Sequence, residues 1–451
     1  MTKYYLLGIK GTGMSTLAQI LYDLGNEVSG FDDAKGYKFT EDGLKKRGIK
    51  IFYDHDHKID KDTIVSYSVA VDDTNPEMKR VKDLGLKIEP YASLMGKVID
   101  MFETIGVSGT HGKTTTSSLI RHILEDTYGC NYFIGAGDGY VSKKNKYYVV
   151  ESDEFNRHFL YYHPKFSIIT NIEREHMEIY KDIDDLRTSF ETFANNTHDL
   201  VVANGDNEVI RKINFKTKVI FYGFNDNNDI IIKNVKLNDN SSSFDLYEKN
   251  KLIGSFTIPL FGKHNIMNAT ASIIITSKLG LSIETIKSEL LTFINAKRRF
   301  EITNVGDTVI VDDYAHHPTE IKATIEAARQ HYKGRKIVAV FRPNTYSRTK
   351  DFKDDFIKDL SLADKVYMTE VCSNREKASD YPGVSSKIIA DNITGCEMVE
   401  EDSIDKLSKE KGNVVLFLGC ADNSHLISGF KEVLEKDLNR WDLSQIFMYI
   451  K

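Results

Sequence analysis

The chain has 451 residues, with 60 Lys+Arg against 66 Asp+Glu, 41% apolar residues and a formal net charge of −6. At roughly 100–200 residues per domain that is two to four domains, each able to bury a core, and 11% aromatics exclude a disordered or low-complexity chain. With no Lys/Arg block and no apolar run near the ~20 residues of a membrane span, neither a nucleic-acid partner nor membrane insertion is expected.

Short β-like runs alternate with amphipathic helical patterns along the chain, the grammar of α/β domains with parallel sheets. The first block opens with the run Tyr4–Ile9, which reads as a strand and not a signal peptide because Lys10 interrupts it; a cytoplasmic protein is expected. A glycine turn, Gly8-Ile9-Lys10-Gly11-Thr12-Gly13, leads into a helix over Met14–Leu24, and a second strand, Glu27–Phe31, ends at Asp32. The turn resembles a dinucleotide fingerprint, but its spacing is GxxGxG and Thr16 stands at the final glycine. A diphosphate-bearing ligand at the helix N-terminus fits better than NAD, and an NAD-dependent oxidoreductase leaves the next motif unexplained. Asp54-His55-Asp56-His57 reads as a solvated turn.

Strand, glycine turn and helix restart at Ile105–Gly109, which sets a boundary near residue 103. Gly109-Thr110-His111-Gly112-Lys113-Thr114-Thr115-Thr116 lies between the strand Ile105–Val107 and a helix through Leu119, Ile120 and Ile123. Glycines admit a phosphate chain to the backbone, the helix N-terminus points N–H groups at it, Lys113 reaches the β/γ-phosphates and the Thr114 hydroxyl suits Mg²⁺. Val107 stands where the strict P-loop pattern has glycine. The strand Tyr147–Val150 delivers Glu151, with Asp153 and Glu154 behind it; the strand Phe166–Thr170 delivers Asn171, then Glu173, Glu175, His176 and Glu178. Ligands of parallel sheets sit beyond the carboxyl ends of the strands, so these groups are candidates to hold Mg²⁺ at the phosphates. The polar stretch Asn225–Ser243 reads as surface hairpins on this domain.

A third restart, Thr308–Asp313, follows the basic cluster Lys297-Arg298-Arg299 and sets a boundary near residue 297. Asp313-Tyr314-Ala315-His316-His317 precedes a helix over Ile321–Arg329, and the strand Ile337–Phe341 leads to Arg342–Thr349. Adjacent histidines do not readily face one ion, so a loop lining a ligand cleft fits better than zinc. Cys130, Cys372, Cys396 and Cys420 form no CxxC pair and read as reduced, mostly buried thiols.

In order, Gly8–Ser15, Gly109–Thr116, Glu151–Glu154, Asn171–Tyr180, Gly262–Ala269, Lys297–Glu301, Asp312–Glu320 and Phe341–Thr349 resemble the Mur ligase family. The resemblance implies an α/β protein of three domains: N-terminal Rossmann-like (1–103) for a UDP-sugar, central P-loop ATPase-like (104–297) for ATP, and C-terminal Rossmann-like (298–451) for an amino acid. It also implies that ATP phosphorylates a substrate carboxylate and an amine displaces the phosphate, with UDP-N-acetylmuramate and L-alanine as substrates. A relative adding a preformed peptide to the same sugar, or a non-catalytic UDP-sugar binder, are the other readings.

By resemblance, Gly109 to Thr115 together with His264, Asn265, Asn268 and Asp313 contact ATP, and Thr114, Glu151 and His176 hold Mg²⁺. Gly11, Gly13, Met14, Ser15 and Asp32 meet the UDP-sugar; Arg298 and Arg299 meet the anionic substrate. Tyr314, His316 and Arg348 wall the amino-acid pocket, with Arg348 on its carboxylate, so catalysis falls to Lys113, Glu151, His176, His316 and Arg348 through positioning and charge. Glu175 and Glu178 stand where aspartates are usual, Thr345 where many relatives have arginine, and Ala421 where a second glycine is common.

Overall fold

The computed structural model describes residues 1–135, 137–373 and 376–449. The first sheet runs Lys50–Phe52, Glu27–Phe31, Lys3–Leu7, Ile64–Tyr67, Lys87–Pro90, each strand parallel to its neighbour. Strand order reverses at Lys3–Leu7, the place where an open α/β sheet leaves a crevice beyond its strand ends. The helix Thr12–Asp23 starts there and buries Leu17, Ala18, Ile20 and Leu21, while Tyr5, Leu7, Phe31, Val65 and Met78 cover the opposite face. Burial on both faces is what an all-parallel sheet requires.

In the second sheet, Leu200–Asn204, Phe166–Ile169, Glu103–Ser108, Tyr147–Glu151 and Cys130–Ile134 are parallel neighbours in that order. This adjacency sets the carboxyl ends at Ile169, Ser108 and Glu151 side by side. The polar stretch after residue 225 forms the strands Ile230–Leu237 and Ser242–Glu248, followed by Lys251–Ile258.

The chain divides into two compact units: Met1–Asn234 with Phe244–Phe256 and Met267–Phe293, and Val235–Ser243 with Thr257–Ile266 and Ile294–Lys451. The second unit contains the third sheet, in which Thr308–Asp313, Val414–Leu418, Ile337–Phe341, Lys365–Met368 and Glu397–Met398 are parallel. An edge strand, Glu301–Val305, pairs antiparallel with Thr308–Asp313. No apolar alternation announced it, because most of its side chains are exposed or half-buried at the sheet edge. No helix among the described residues is long and apolar enough to cross a membrane.

Two sequence expectations change. His57 does not sit in a solvated turn: only 8% of its side chain is exposed, its ring lies 3.8 Å from that of Phe52 at an interplanar angle of 9°, and it faces the Tyr5 hydroxyl at 2.7 Å. The side chain that makes this polar core viable is Glu77, which is fully buried and contacts His55, Tyr5 and Arg80. The four cysteines are free, but only Cys130 is buried; the other three are half-buried.

Candidate functional site

The turn Gly109–Gly112 joins the strand Glu103–Ser108 to the helix Lys113–Glu125. It needs glycine at both ends: Gly109 has φ +139° and Gly112, the helix N-cap, φ +82°. The next strand's exit holds it in shape. Asn171 Oδ1 accepts the His111 N–H at 2.8 Å, Asn171 Nδ2 donates to the His111 carbonyl at 3.1 Å, and the Thr110 N–H reaches the Asn171 carbonyl at 3.1 Å. Asn268 packs on Gly112 so closely that a Cβ there would lie 2.5 Å from its Oδ1. Thr115 is buried beneath the turn.

Within the turn, Lys113 Nζ donates to the Gly109 carbonyl at 2.6 Å and to Glu154 Oε1 and Oε2 at 3.0 and 2.9 Å. Burial works against this ammonium, but the charges of Glu154, Asp153 and Glu151 outweigh it and hold it protonated. Glu154 lies three residues beyond the strand end at Glu151, and its backbone carbonyl is bound by the Tyr180 hydroxyl. Asn156 and Arg157 follow with left-handed φ of 50° and 57°, fixed by Arg157 forking onto Asp185 at 2.8 and 2.9 Å and lying over the Tyr180 ring. Glu154, one of the acidic strand-end candidates for Mg²⁺ in the sequence, is here paired with Lys113, while Arg157 and Asp185, which fix its loop, left no signal in the sequence.

Thr114 and Glu151 face a common space beside Gly135, where a Cβ would lie 3.7 Å from Thr114 Cγ2 and 4.0 Å from Glu151 Oε1. His176, at φ +57°, is edge-on to Phe155 with ring centres 5.1 Å apart, and its Nδ1 lies 3.4 Å from Glu178 and 4.0 Å from Glu175. Burial lowers its affinity for a proton, yet the two glutamates and the more distant Glu154 and Asp153 raise it overall. A hydroxyl and carboxylates next to a phosphate-type turn are the hard oxygen donors that Mg²⁺ takes, so the donor set fits this ion.

At the N-terminal turn the Gly8 N–H donates to the Phe31 carbonyl, and Gly11 closes back on the Gly8 carbonyl at 2.9 Å as N-cap of the first helix. Met14 and Ser15 are buried, so what this helix end offers a ligand is its backbone N–H groups, beside Gly13. The Asp32 carboxylate accepts from Lys10 N and Ala34 N at 2.9 and 3.0 Å.

In the second unit, Arg298 and Arg299 stack on the Tyr314 ring at 5.3 and 4.8 Å. Arg298, expected from the sequence to meet the anionic substrate, donates here to the carbonyls of Gly419, Ala421 and Cys420 at 2.6, 2.7 and 3.3 Å and to Asp312. Asp313, the residue expected to contact the nucleotide, turns inward here: its carboxylate accepts from Phe300 N, Ala315 N and Thr324 Oγ1 and so organises the turn. His316 Nδ1 lies 3.1 Å from Glu320 and from the Tyr314 carbonyl. The His317 side chain accepts the Thr319 N–H as the N-cap of Pro318–His331, which separates the two histidines by function. Arg348 donates to the Asn344 carbonyl at 3.1 Å, and its charge reaches Cys420. His264 and Asn265 sit in the first turn of the helix Lys263–Lys278; Asn265 binds back to the Phe261 carbonyl.

Family models match residues 3–103 (Mur ligase family, catalytic domain), 107–276 (Mur ligase middle domain) and 298–421 (Mur ligase, glutamate ligase domain). The chain is 41% identical over 423 residues to the UDP-N-acetylmuramate–L-alanine ligase of Lactiplantibacillus plantarum, covering 93% of this chain and 96% of the relative. It is 41% identical over 433 residues to the enzyme of the same name from Ligilactobacillus salivarius, covering 96% and 97%. Among solved structures it is similar to the UDP-N-acetylmuramate–alanine ligase of Thermotoga maritima, with a TM-score of 0.77, 27% identity and coverage of 98% and 100%.

Proposed function

Because this chain belongs to the Mur ligase family, three α/β domains in series, we propose that it joins L-alanine to the carboxylate of UDP-N-acetylmuramate with cleavage of ATP, in cytoplasmic synthesis of the peptidoglycan precursor. The observation that carries the reading is the Lys113 ammonium, paired with Glu154 in a two-glycine turn at a helix N-terminus. On this reading residues 1–103 bind the UDP-sugar, 104–297 bind ATP and 298–451 bind the amino acid.

A carboxylate resists attack by an amine because its leaving group is an oxide. Transfer of the γ-phosphoryl group to a carboxylate oxygen replaces that leaving group with phosphate; the alanine nitrogen then adds to the carbonyl carbon, and the C–O bond to phosphate breaks. The chain's own task is positioning and charge stabilisation. Lys113 exchanges Glu154 for phosphate oxygens, and the backbone N–H groups of Gly112 to Thr115 face the phosphate chain. Thr114, Glu151 and His176 are the residues that would hold Mg²⁺, which when bound neutralises charge on the transferring group. In the second unit Arg348 is the candidate for the amino-acid carboxylate, with Tyr314, His316 and Arg299 around it.

The test is release of inorganic phosphate by the purified protein. Release should require ATP, Mg²⁺, UDP-N-acetylmuramate and L-alanine together; release that ignores the sugar or the amino acid sinks the reading. Competition by a preformed tripeptide against L-alanine distinguishes a ligase that recycles peptide.

A further inference from the structure

Lys10 is the one charged residue in the N-terminal glycine turn, and its side chain is fully shielded from solvent. An ammonium in a diphosphate-type turn would, on charge alone, face the diphosphate. Here its three protons already have three acceptors: the Ala34 carbonyl at 2.5 Å, the Gly36 carbonyl at 2.6 Å and Glu41 Oε1 at 2.6 Å. The backbone of the same residue is used in the same direction, its N–H by Asp32 Oδ2 and its carbonyl by the Thr40 hydroxyl at 2.7 Å. Glu41 is buried as well, and the Lys10 ammonium first, with Lys45 after it, holds its carboxyl down at about 2.

Apart from Asp32, these partners of Lys10 all lie on the segment 33–41, which follows Asp32 and enters regular structure only at the helix Glu41–Lys46. Its other contacts lie at the surface: Asn75 Nδ2 donates to Asp33 at 3.0 Å and the Tyr37 hydroxyl to Asp42 at 2.9 Å, and Tyr37 and Phe39 are each 67% exposed. The buried ion pair is therefore the segment's anchor in the interior, beside the helix end proposed to face the ligand. We propose that Lys10 is a positioning residue of the UDP-sugar site, which with Glu41 fixes segment 33–41 against the glycine turn so that this wall exists before the ligand arrives. The ligand's identity rests on the function proposed above; the holding of the segment does not. Preorganisation of this kind acts on affinity, because ordering the segment is no longer charged to binding.

The test uses the full chain with Lys10→Met, and with Glu41→Gln as the variant that keeps shape and removes only the charge. Trypsin cuts after Lys35 and Lys38 inside the segment, and cleavage there should speed up about tenfold or more in both variants without ligand. The Kd for UDP-N-acetylmuramate should rise about tenfold or more, while the Kd for an ATP analogue and kcat at saturating UDP-sugar stay within about twofold. Unchanged cleavage and unchanged Kd overturn the proposal, as does an equal loss of affinity for both ligands, which signals general unfolding. If the wild type itself fails to bind the UDP-sugar, the ligand assignment falls, and the trypsin comparison reports separately on the holding role. Should Lys10→Met not fold, Glu41→Gln decides the question.

Discussion

Lys113 and Glu154 form a chelated pair, the ammonium lying 3.0 and 2.9 Å from the two carboxylate oxygens, with only 1% of the Glu154 side chain exposed. The lysine proposed to bind phosphate is thus held in place by an internal anion, which on that reading a nucleotide's phosphates displace. The pair keeps a charge buried without leaving it unsatisfied, and it makes the consequences of removing either partner unequal.

Lys113→Met should reduce ATP-dependent phosphate release by at least about a hundredfold, since one charge-stabilising donor at the reacting group is lost. It should also lower stability by about 3 kcal/mol, because Glu154 is left buried and unpaired. Adding Glu154→Gln to Lys113→Met should restore most of the stability and none of the turnover. Denaturant titration and phosphate release measured on the same preparations separate the two effects.

A buried carboxyl of the second unit titrates above its usual range. Burial lifts the Asp313 carboxyl to about 6, against Arg299 and the N–H groups of Ala315 and Phe300. The Asp313 contribution is therefore full below pH ~4 and lost as pH rises through about 6, a change of about 3 kcal/mol. Relative to wild type, Asp313→Asn should gain stability between pH 4 and 7. Urea unfolding at several pH values checks the slope; parallel curves for wild type and variant contradict the assignment.

What the sequence made legible was local. The glycine turn, its flanking strand and its helix lie within some twenty residues, so composition and order alone located Gly109 to Thr116, and the polar strand ends at Glu151 and Asn171 followed from the same grammar. The partners that fix those groups are distant in sequence. Glu154 meets Lys113 across 41 positions because two strands happen to be neighbours, and Arg298 meets Gly419 across 121. The polar local sequence of His57 is overruled by stacking on Phe52 and, from twenty residues away, by Glu77 of the helix Pro76–Asp83. Strand adjacency, which decides such pairs, leaves no local trace.

Arg298 is a strap on the loop that carries Cys420 and Ala421, and a lysine has no fork with which to serve three carbonyls and Asp312 at once. Arg298→Lys should cost about 1–3 kcal/mol in stability. The KM for L-alanine should rise while the KM for ATP holds, because the loosened loop borders Tyr314 and the charge of Arg348. A raised KM for ATP alone would argue that Arg298 serves the nucleotide instead.

Gly109 meets two separate constraints, and a pair of variants tells them apart. A Cβ at this position would lie 2.0 Å from Thr170 Oγ1 and 3.1 Å from the backbone N and O of Asn171, and the residue's φ of +139° is one that side-chain-bearing residues rarely adopt. Gly109→Ala should therefore displace the whole turn and reduce ATP-dependent phosphate release by about a hundredfold or more. Thr170→Ala removes the hydroxyl clash but neither the backbone contact nor the dihedral strain, which is worth about 1–3 kcal/mol. The double variant should accordingly recover part of the stability lost in Gly109→Ala and little of the activity, with binding of UDP-N-acetylmuramate, measured by titration, unchanged throughout. Full recovery of activity in the double variant would mean that the side-chain clash alone had set the requirement for glycine, and that the turn tolerates a Cβ at the place where the phosphates are proposed to lie.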